Sequence, residues 1–499
     1  MQNNGNQNNK NLFKLLNLPY DETIQINSVN IIDNVKHVEL QKKSAPVFCE
    51  VCGSRMHSKG FYTRNPLHPI YQDELTCILH VRTRRFICGT CGAKMSESFS
   101  FLEKYKQSTT ITPLLVINAM KDLTRSTKSI AEQFGLSDTQ VHNIFSMYVD
   151  LKRLPLPEYI SVDEVYLNIK PDGLYAFVIM DFVTGEIVDI VHNRWTDTLE
   201  KYFYSIPYSE RKKVKAVISD AYEPYQDLCE KFFPNAVQVL DSFHSVKFLL
   251  DKLNTYVNDL LKKYKSKQKK ELEEKNKTNN HEYHSKKDSK EIVLLRDYRW
   301  VLLKNSDNIN YSVYSYYHKK LGQNLNTYQI EKMFFALDDK LKTMRDLKEE
   351  YIDFNSKTYD SEDEIRSALN LLIVKFVKSD IKEFIEFASY LSKFKESIVR
   401  SFVTVKVVRR TSKKDQEDYY ARLSNGPMES FNRKPKDFKR NSRGFSNFDY
   451  TRNRILWATR ENPPILAVPK SLDQIHSYPL DPKTKALRDK NRLEKSAAK

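Results

Sequence analysis

The sequence predicts a multidomain α/β protein, and three observations support this. Two Cys-x-x-Cys-Gly pairs lie near the N-terminus, two short helix patterns follow them, and a run of strand patterns comes next. The chain has 499 residues, enough for two to four domains of about 100–200 residues each. Its hydrophobic fraction of 40% is too high for a disordered chain.

The charge balance limits the classes of partner. Lys and Arg number 81 against 64 Asp and Glu, which gives a net charge of +17. This excess suits nucleic acid, although a merely basic soluble protein has the same balance.

No apolar stretch approaches the roughly 18 residues of a membrane span. The Asn-rich N-terminus lacks a signal-peptide core. We therefore expect a cytoplasmic protein, nucleoid-associated when bound to DNA, with residues 1–44 as a flexible leader.

The first motif with a chemical meaning is a set of four cysteines, Cys49, Cys52, Cys88 and Cys91. The two-residue gap in each pair lets both thiolates reach one metal ion, and the glycine that follows lets the backbone turn beneath it. The segment 75–86 between the pairs alternates like the strands of a hairpin. The pattern predicts a zinc ribbon over residues 45–105 with one structural Zn²⁺, and free thiols or a redox pair are the alternatives.

Three basic residues, Arg82, Arg84 and Arg85, precede the second cysteine pair. They are positioned either to contact DNA phosphates or to form a solvated strand face. Cys77 and Cys229 have no such spacing, and we expect both to be ordinary buried cysteines.

A helix-turn-helix pattern is predicted within residues 106–155. Apolar positions around Ile130 and Phe134 mark one helix, Gly135 a tight turn, and Ser137 the N-cap of a second helix. The second helix is expected to present a polar face that reads base edges, formed by Asp138, Thr139, Gln140, His142 and Asn143. Gln140 and Asn143 are the predicted DNA-binding residues. A helical hairpin that packs two domains together is the alternative.

Strand patterns begin at Tyr159. Five are predicted, over residues 159–169, 174–181, 186–192, 214–219 and 236–240. The first three follow one another closely, as in an antiparallel meander, whereas helical crossovers precede the last two. This order is that of a ribonuclease H-like domain, whose first part we place at residues 156–250. In that topology the first and fourth strands are neighbours at the centre of the sheet.

Two acids occupy the positions that such a sheet brings together. Asp163 lies in the first strand and Asp220 ends the fourth, so both side chains would enter one cleft. Carboxylates of this kind hold two divalent cations for phosphoryl transfer. Glu164 is adjacent to Asp163, but successive strand residues face opposite sides of a sheet, and we assign Asp163 to the cleft. A turn or cap role is the alternative for each acid.

Beyond these patterns, the chain resembles the ISL-three family of bacterial insertion-sequence transposases over nearly its whole length. The resemblance is carried by RRFIC before the second cysteine pair, VDEVY at 162–166, ISDAY at 218–222, LDSFH at 240–244, and the long segment 424–457 that begins SNGPMESFNRKPKDFKR. It implies that Asp163, Asp220 and Glu429 are the three catalytic acids. Asp241 and His244 match a signature of related transposase groups. Pro435 departs from the family pattern and is expected to end the Glu429 helix early.

The remaining segments complete the predicted domain plan. Residues 251–420 form a large α-helical insertion in the catalytic domain, 421–465 form its last part, and 466–499 form a basic tail. Residues 261–290 hold 11 lysines against 5 acids, as in a mobile basic arm or a solvated helix. DNA-binding residues are also expected beside Glu429, namely Arg433, Lys434, Lys436, Lys439, Arg440 and Arg443.

The resemblance implies a DNA transposase that binds terminal repeats, cleaves DNA and joins the freed 3′-hydroxyl to a target. Its cofactors would be structural Zn²⁺ and two catalytic Mg²⁺ or Mn²⁺ ions. Its partners would be the terminal inverted repeats, target DNA and a second copy of the chain, because pairing two ends favours a homodimer. Three alternatives stay open: an inactive DNA-binding repressor, a ribonuclease H-like nuclease without strand transfer, and a structural zinc scaffold.

Overall fold

The computed structural model describes residues 2–70, 75–169, 173–279, 288–408, 419–442 and 447–476. The chain divides into two compact units. The first contains Met1–Arg153, Val165–Ala176 and Asn432–Lys499, and the second contains Leu154–Glu164 and Phe177–Phe431. Within the described ranges, no helix combines the length and apolar character needed to cross a membrane.

The N-terminal part of the first unit is a helix followed by a five-stranded sheet. Its elements are α1 (Gln2–Leu15), β1 (Ile24–Ile32), β2 (Val35–Lys42), β3 (Met56–Arg64), β4 (Thr76–Cys88) and β5 (Lys94–Ser96). The strand order is β1-β2-β4-β3, and β5 also pairs with β4. Strand β4 is antiparallel to β3, as a ribbon requires, but it is parallel to β2.

Residues 1–44 differ from the predicted leader. Phe13, Val38 and Leu40 are fully buried, in one hydrophobic core with residues of β4. Asp33 and Asn34, both with positive φ, form the two-residue turn between β1 and β2. Two consecutive positive-φ residues match the twist of a hairpin. The segment is therefore part of the sheet.

Three helices follow, α2 (Thr112–Ala119), α3 (Thr127–Phe134) and α4 (Asp138–Tyr148). Gly135 ends α3 in the left-handed region, with φ of 64°, which a residue without a Cβ adopts at little cost. Ser137 caps α4, as the sequence predicts, and shares a reciprocal capping box with Gln140. The apolar face of α3 is buried at Ile130 and Phe134.

The second sheet has five strands, β6 (Tyr159–Ile169), β7 (Gly173–Asp181), β8 (Ile187–Val191), β9 (Ala216–Ser219) and β10 (Val237–Leu240). Their order is β10-β9-β6-β7-β8. Strand β9 is parallel to both β6 and β10, and β7 is antiparallel to β8. Helices α5 (Thr196–Tyr204), α6 (Tyr208–Arg211) and α7 (Glu223–Phe232) make the crossovers. The predicted adjacency of the first and fourth strands is present.

A mainly helical segment follows β10, and most of its helices share one large core. Its helices are α8 (Ser242–Asn279), α9 (Lys290–Asp297), α10 (Trp300–Leu303), α11 (Thr327–Phe335), α12 (Lys340–Ser356), α13 (Glu362–Lys378), α14 (Lys382–Lys393) and α15 (Lys395–Arg400). A short hairpin, β11 (Tyr316–His318) and β12 (Gln323–Leu325), interrupts them. The described part of the lysine-rich stretch 261–290 differs from a mobile arm, because α8 continues as far as Asn279.

The chain returns through the hairpin β13 (Thr404–Val407) and β14 (Tyr419–Arg422) to three more helices, α16 (Gly426–Asn441), α17 (Phe448–Thr459) and α18 (Leu472–His476). Pro435 was expected to end the helix that carries Glu429, but α16 continues past it to Asn441. Phe431 and Phe438, one on each side of the proline, are both buried. Burial on both sides offsets the backbone hydrogen bond that proline cannot donate.

Helix α17 packs against the helix-turn-helix inside the first unit. The Trp457 indole N–H donates to the carbonyl of Ile117 at 2.8 Å. The Tyr450 ring stacks on His142 at 4.1 Å between ring centroids. Trp457 is buried and Tyr450 is half-buried, so both pack inside this unit rather than form surface platforms.

Candidate active site and metal centres

Three aspartates lie level with one another across three adjacent parallel strands. The register pairs Ser161 of β6 with Ile218 of β9, and continuing it two residues brings Asp163 level with Asp220. The register also pairs Ser219 with Leu240 of β10, which places Asp241 beside Asp220. Residues at equivalent positions of neighbouring strands are about 5 Å apart. The sheet therefore makes the three aspartates neighbours, and the charge of Asp220 acts on both Asp163 and Asp241. Among the described residues, their three carboxylates do not all approach one another within 4.8 Å.

The three aspartates share an environment that disfavours their charge. Burial raises the pKa of Asp163 to about 6, and the nearby charge of Asp220 acts in the same direction. Burial likewise raises the pKa of Asp220 and of Asp241. Such a group of carboxylates is costly as free anions, and a bound divalent cation reverses the balance. The donor set therefore fits the cations that the sequence predicts.

Glu429 joins this group from the first turn of α16. One ligand atom each of Asp241, His244 and Glu429 lies within 4.8 Å of the others. Among the described residues, the predicted triad of Asp163, Asp220 and Glu429 does not form such a group, so the structure brings Glu429 together with Asp241 and His244. Asp163 and Asp220 are linked to His244 by electrostatic attraction. Gly426 and Pro427 begin α16, where a proline needs no hydrogen-bond donor.

Asn425 is a residue that sequence reasoning missed. It is fully buried, and its side-chain amide donates to the carbonyl of Val162 at 3.1 Å. Its backbone N–H also donates to the Asp241 carboxylate. It therefore fixes the start of α16 against β6, one residue before Asp163. The sequence does carry a signal for Asn425: it lies four residues before Glu429 and directly before the Gly-Pro pair that begins the helix.

Glu164 has different partners from Asp163. Its carboxylate accepts hydrogen bonds from Arg194, at 2.5 Å, and from the Tyr225 hydroxyl. Only 12% of the Glu164 side chain is exposed. A carboxylate held by a guanidinium and a phenol already has its charge balanced, which favours a structural role for Glu164. Sequence reasoning did not predict its two partners.

The carboxylate environment leads to a prediction about stability in the absence of metal. A folded-state pKa of about 6 lies above the ordinary value near 3.8, so ionised Asp163 lowers the free energy of unfolding once the pH exceeds both values. In EDTA we expect Asp163→Asn to raise that free energy by about 1–3 kcal/mol at pH 7.5 and to leave it unchanged at pH 4. Denaturant titrations at both pH values measure this. An equal effect at the two pH values would exclude the electrostatic cause.

The four cysteines of the two pairs converge at one end of the first sheet. Three Sγ pairs, Cys49 with Cys91 and Cys52 with both Cys88 and Cys91, are each 3.5 Å apart. A tetrahedral zinc site with Zn–S bonds of about 2.3 Å has sulfur atoms about 3.8 Å apart, so the spacing fits one ion.

The backbone around these cysteines also has the predicted form. Gly53 and Gly92 both have φ of 72°, and each donates its N–H back to the first cysteine of its pair. Backbone N–H groups of Cys91 and Thr90 lower the pKa of Cys88 to about 6, whereas the side chains of Cys52, Cys49 and Cys88 raise the pKa of Cys91. Four thiols this close become thiolates together only when a cation lies between them. Cys77 and Cys229 are buried, as expected.

The arginines of β4 contact two aromatic residues of β3. Arg82 and Arg84 lie over the Phe61 ring, at 4.4 and 5.0 Å from its centroid, and Arg85 lies over Tyr62 at 5.9 Å. Arg82 and Arg85 are exposed. The arrangement is compatible with both phosphate contact and a solvated strand face.

The polar face of α4 differs in part from the prediction. Asp138, Thr139 and Gln140 are exposed, but His142 is half-buried against Tyr450, and the Oδ1 atom of Asn143 is buried. The amide oxygen of Gln140 accepts the Ser137 backbone N–H at 2.8 Å. The Tyr450 ring of α17 therefore covers His142, and both His142 and Asn143 are less exposed than a base-reading face requires.

The basic residues of α16 fall into three groups. Arg433, Lys434 and Lys436 are exposed. Lys439 lies over the Tyr166 ring at 3.9 Å from its centroid, and burial lowers its pKa. Arg440 pairs with Asp437 at 3.1 Å. The remaining predicted contact, Arg443, lies outside the described residues.

These features define a class of protein: a mixed α/β chain with a buried acidic cluster suited to divalent cations and a separate tetrathiolate site. Comparison with known proteins gives the family. Residues 160–455 match the profile of the ISL-three transposase family of the DDE group. The chain therefore belongs to this family of insertion-sequence transposases.

A curated relative supports the same assignment. The transposase for insertion sequence element IS1001 from Bordetella parapertussis is 24% identical over 284 residues. The aligned region covers 55% of this chain and 62% of that relative. The chain thus spans less than two thirds of the length of the relative it matches.

Proposed function

We propose that this protein is a DDE-type DNA transposase that binds transposon terminal repeats and catalyses metal-dependent cleavage and strand transfer. One observation carries the proposal. The register of β6, β9 and β10 sets Asp163, Asp220 and Asp241 side by side, and helix α16 adds Glu429 to the Asp241 and His244 pair. Family membership supports this assignment, because the matched residues 160–455 contain all of these positions.

The residues of the site have two kinds of role in this proposal. Asp163, Asp220 and Glu429 would hold two Mg²⁺ or Mn²⁺ ions. When bound, the ions activate an attacking hydroxyl and stabilise the leaving oxygen of the phosphodiester. Asp241 and His244 complete the cleft. The domain is ribonuclease H-like, as the strand order β10-β9-β6-β7-β8 supports.

DNA binding is assigned to the elements that precede the catalytic domain and to the exposed basic residues of α16. The tetrathiolate module would hold one Zn²⁺ and present Arg82, Arg84 and Arg85 to the phosphate backbone. The exposed N-terminal turn of α4 would enter the major groove. Exposed lysines and arginines of α16 would neutralise phosphates beside the scissile bond. A homodimer would pair the two transposon ends.

The decisive experiment combines the purified chain with the DNA that flanks its own gene and with Mg²⁺, and then maps the products. A transposase gives cuts at the terminal repeats and joined strand-transfer products. Cleavage without joining indicates a nuclease, and salt-sensitive DNA binding without cleavage indicates a repressor. Absence of DNA binding leaves a zinc scaffold as the explanation.

Base recognition by α4 is tested best at Gln140, although its amide oxygen also caps the helix. Gln140→Glu keeps an oxygen for the capping box but removes the amide donor, so the melting temperature should stay the same. We expect binding to the terminal repeat to weaken about tenfold or more, corresponding to about 1–3 kcal/mol, with a smaller loss on random DNA. Gel-shift titrations on both DNAs measure this. An equal loss on both would assign the effect to charge alone.

A further inference from the structure

Asp241, His244 and Glu429 form a compact group of possible metal ligands, contributed by two segments that are far apart in the sequence. Asp241 follows β10, His244 lies in the first turn of α8, and Glu429 lies in the first turn of α16. Their ligand atoms all lie within 4.8 Å of one another. We propose that these three residues bind one divalent first-row transition-metal ion through a nitrogen and two carboxylates, in preference to Mg²⁺. The inference rests on the proposed function, since Glu429 belongs to the same catalytic centre.

The buried carboxylate of Asp241 gives an independent reason to place a cation there. Its side chain is 1% exposed. One oxygen, Oδ1, accepts the backbone N–H of Phe243 at 3.5 Å, and the carboxylate also accepts the backbone N–H of Asn425. The other, Oδ2, is buried and has no hydrogen-bond partner among the described residues. A buried carboxylate oxygen without a partner is costly, and a metal ion removes that cost.

The position of His244 agrees with a shared ion. Its Nε2 atom lies 3.9 Å from Asp241 Oδ2, which is too far for a hydrogen bond. Two ligands at about 2.1 Å from one metal ion are separated by up to about 4.2 Å. The gap therefore leaves room for a cation between the two atoms. His244 is partly exposed, with 26% of its side chain accessible, so an ion has a path to the site.

The identity of the donors determines which ion is favoured. Mg²⁺ prefers oxygen ligands in octahedral geometry, whereas imidazole suits first-row transition metals. The aspartates at 163 and 220 offer oxygen only, and the group around His244 offers nitrogen as well. The two positions of the catalytic centre would then differ in metal preference. Mn²⁺ is a suitable probe, because it accepts both donor types and is paramagnetic.

The experiment uses the full-length chain with its cysteine module intact. Mn²⁺ is titrated in a tenfold excess of Mg²⁺, binding is followed by electron paramagnetic resonance, and coordinated imidazole is detected through its nitrogen coupling in electron spin echo spectra. We expect bound Mn²⁺ with one imidazole in the wild-type protein. In His244→Asn the nitrogen coupling should disappear and Mn²⁺ affinity should fall about tenfold or more. His318→Asn, in strand β11 and outside this ligand group, is the matched control and should behave like wild type.

Three results would overturn the inference: no Mn²⁺ bound by the free protein, bound Mn²⁺ without nitrogen coupling, or coupling that persists in His244→Asn. The wild-type spectrum needs no variant to fold, and circular dichroism checks the folding of His244→Asn. A parallel cleavage assay in Mg²⁺ separates the two proposals. Cleavage in Mg²⁺ without nitrogen coupling in Mn²⁺ would contradict this inference and leave the proposed transposase function standing. Nitrogen coupling together with undiminished cleavage by Asp163→Asn removes only the proposed catalytic triad.

Discussion

Asp163→Asn, Asp220→Asn and Glu429→Gln should each abolish DNA cleavage and strand transfer in Mg²⁺ while the protein stays folded. Each amide has nearly the volume of the acid but lacks the charge that holds a divalent cation. We expect the rate to fall by at least about a thousandfold, which corresponds to about 4 kcal/mol of transition-state stabilisation. Terminal-repeat DNA should still shift in a gel, because end recognition is assigned to the cysteine module and α4, far from the triad in sequence, and the variants keep the basic residues of α16.

The control for this series is Glu164→Gln. Glutamine still accepts the Tyr225 hydroxyl but loses the ion pair with Arg194, so we expect a lower melting temperature and retained cleavage. Rates are therefore compared at a temperature at which all four variants are folded. Parental rates in all three triad variants would remove the two-metal assignment. If Glu164→Gln were inactive and Asp163→Asn active, the roles assigned to these two neighbouring acids would have to be exchanged.

The catalytic sheet was predictable because its strands carry strong local signals. The first predicted strand, 159–169, agrees with β6 at both ends, and the other four agree with β7 to β10 to within two residues at each end. Alternating or continuous apolar residues end at turn residues in every case. The positions of the helical crossovers between the strands then predict which strands are neighbours in the sheet. Asp163 and Asp220 could then be placed level without any knowledge of side-chain contacts.

The remaining members of the cluster depend on contacts that no local pattern encodes. Asp220 and Glu429 are separated by 209 positions, and periodicity does not determine where α16 packs after so long an insertion. The hydrogen bond from Asn425 to Val162 sets that position. Only the family resemblance pointed to Glu429 beforehand. The Oδ2 atom of Asp241 illustrates the same limit, because its burial and its lack of a partner are properties of the packed molecule.

Two errors of prediction have the same physical origin. The N-terminal 44 residues look polar and Asn-rich, but strands β1 and β2 carry alternating residues around the Asp33-Asn34 turn, a hairpin signal that was available and unused. The sequence pattern of helix α4 predicts an exposed polar face, but the ring of Tyr450 covers His142. In both cases a segment that looks polar in isolation packs against residues that are distant in sequence.

The tetrathiolate site has the second large expected effect. If Cys49, Cys52, Cys88 and Cys91 share one ion, the purified chain should contain about one zinc ion, and Cys88→Ser should lose it. The sheet has two separate cores, however. Phe13, Val38 and Leu40 belong to one, whereas Met56 and Phe86 pack with the buried cysteines in a much smaller one. Loss of metal should therefore unfold the cysteine end and leave the rest of the sheet folded.

Hydrogen exchange with mass spectrometry tests this division directly. In Cys88→Ser we expect exchange to become at least about a hundredfold faster at residues 47–56 and 86–96, since a structural zinc ion supplies most of the folding energy of so small a core. Exchange in β1 and β2 should change little. Cys77→Ala is the matched control, because Cys77 is buried in the larger core and should keep the full zinc content. A folded cysteine end without zinc, or a stable disulfide between Cys49 and Cys52, would contradict the metal assignment.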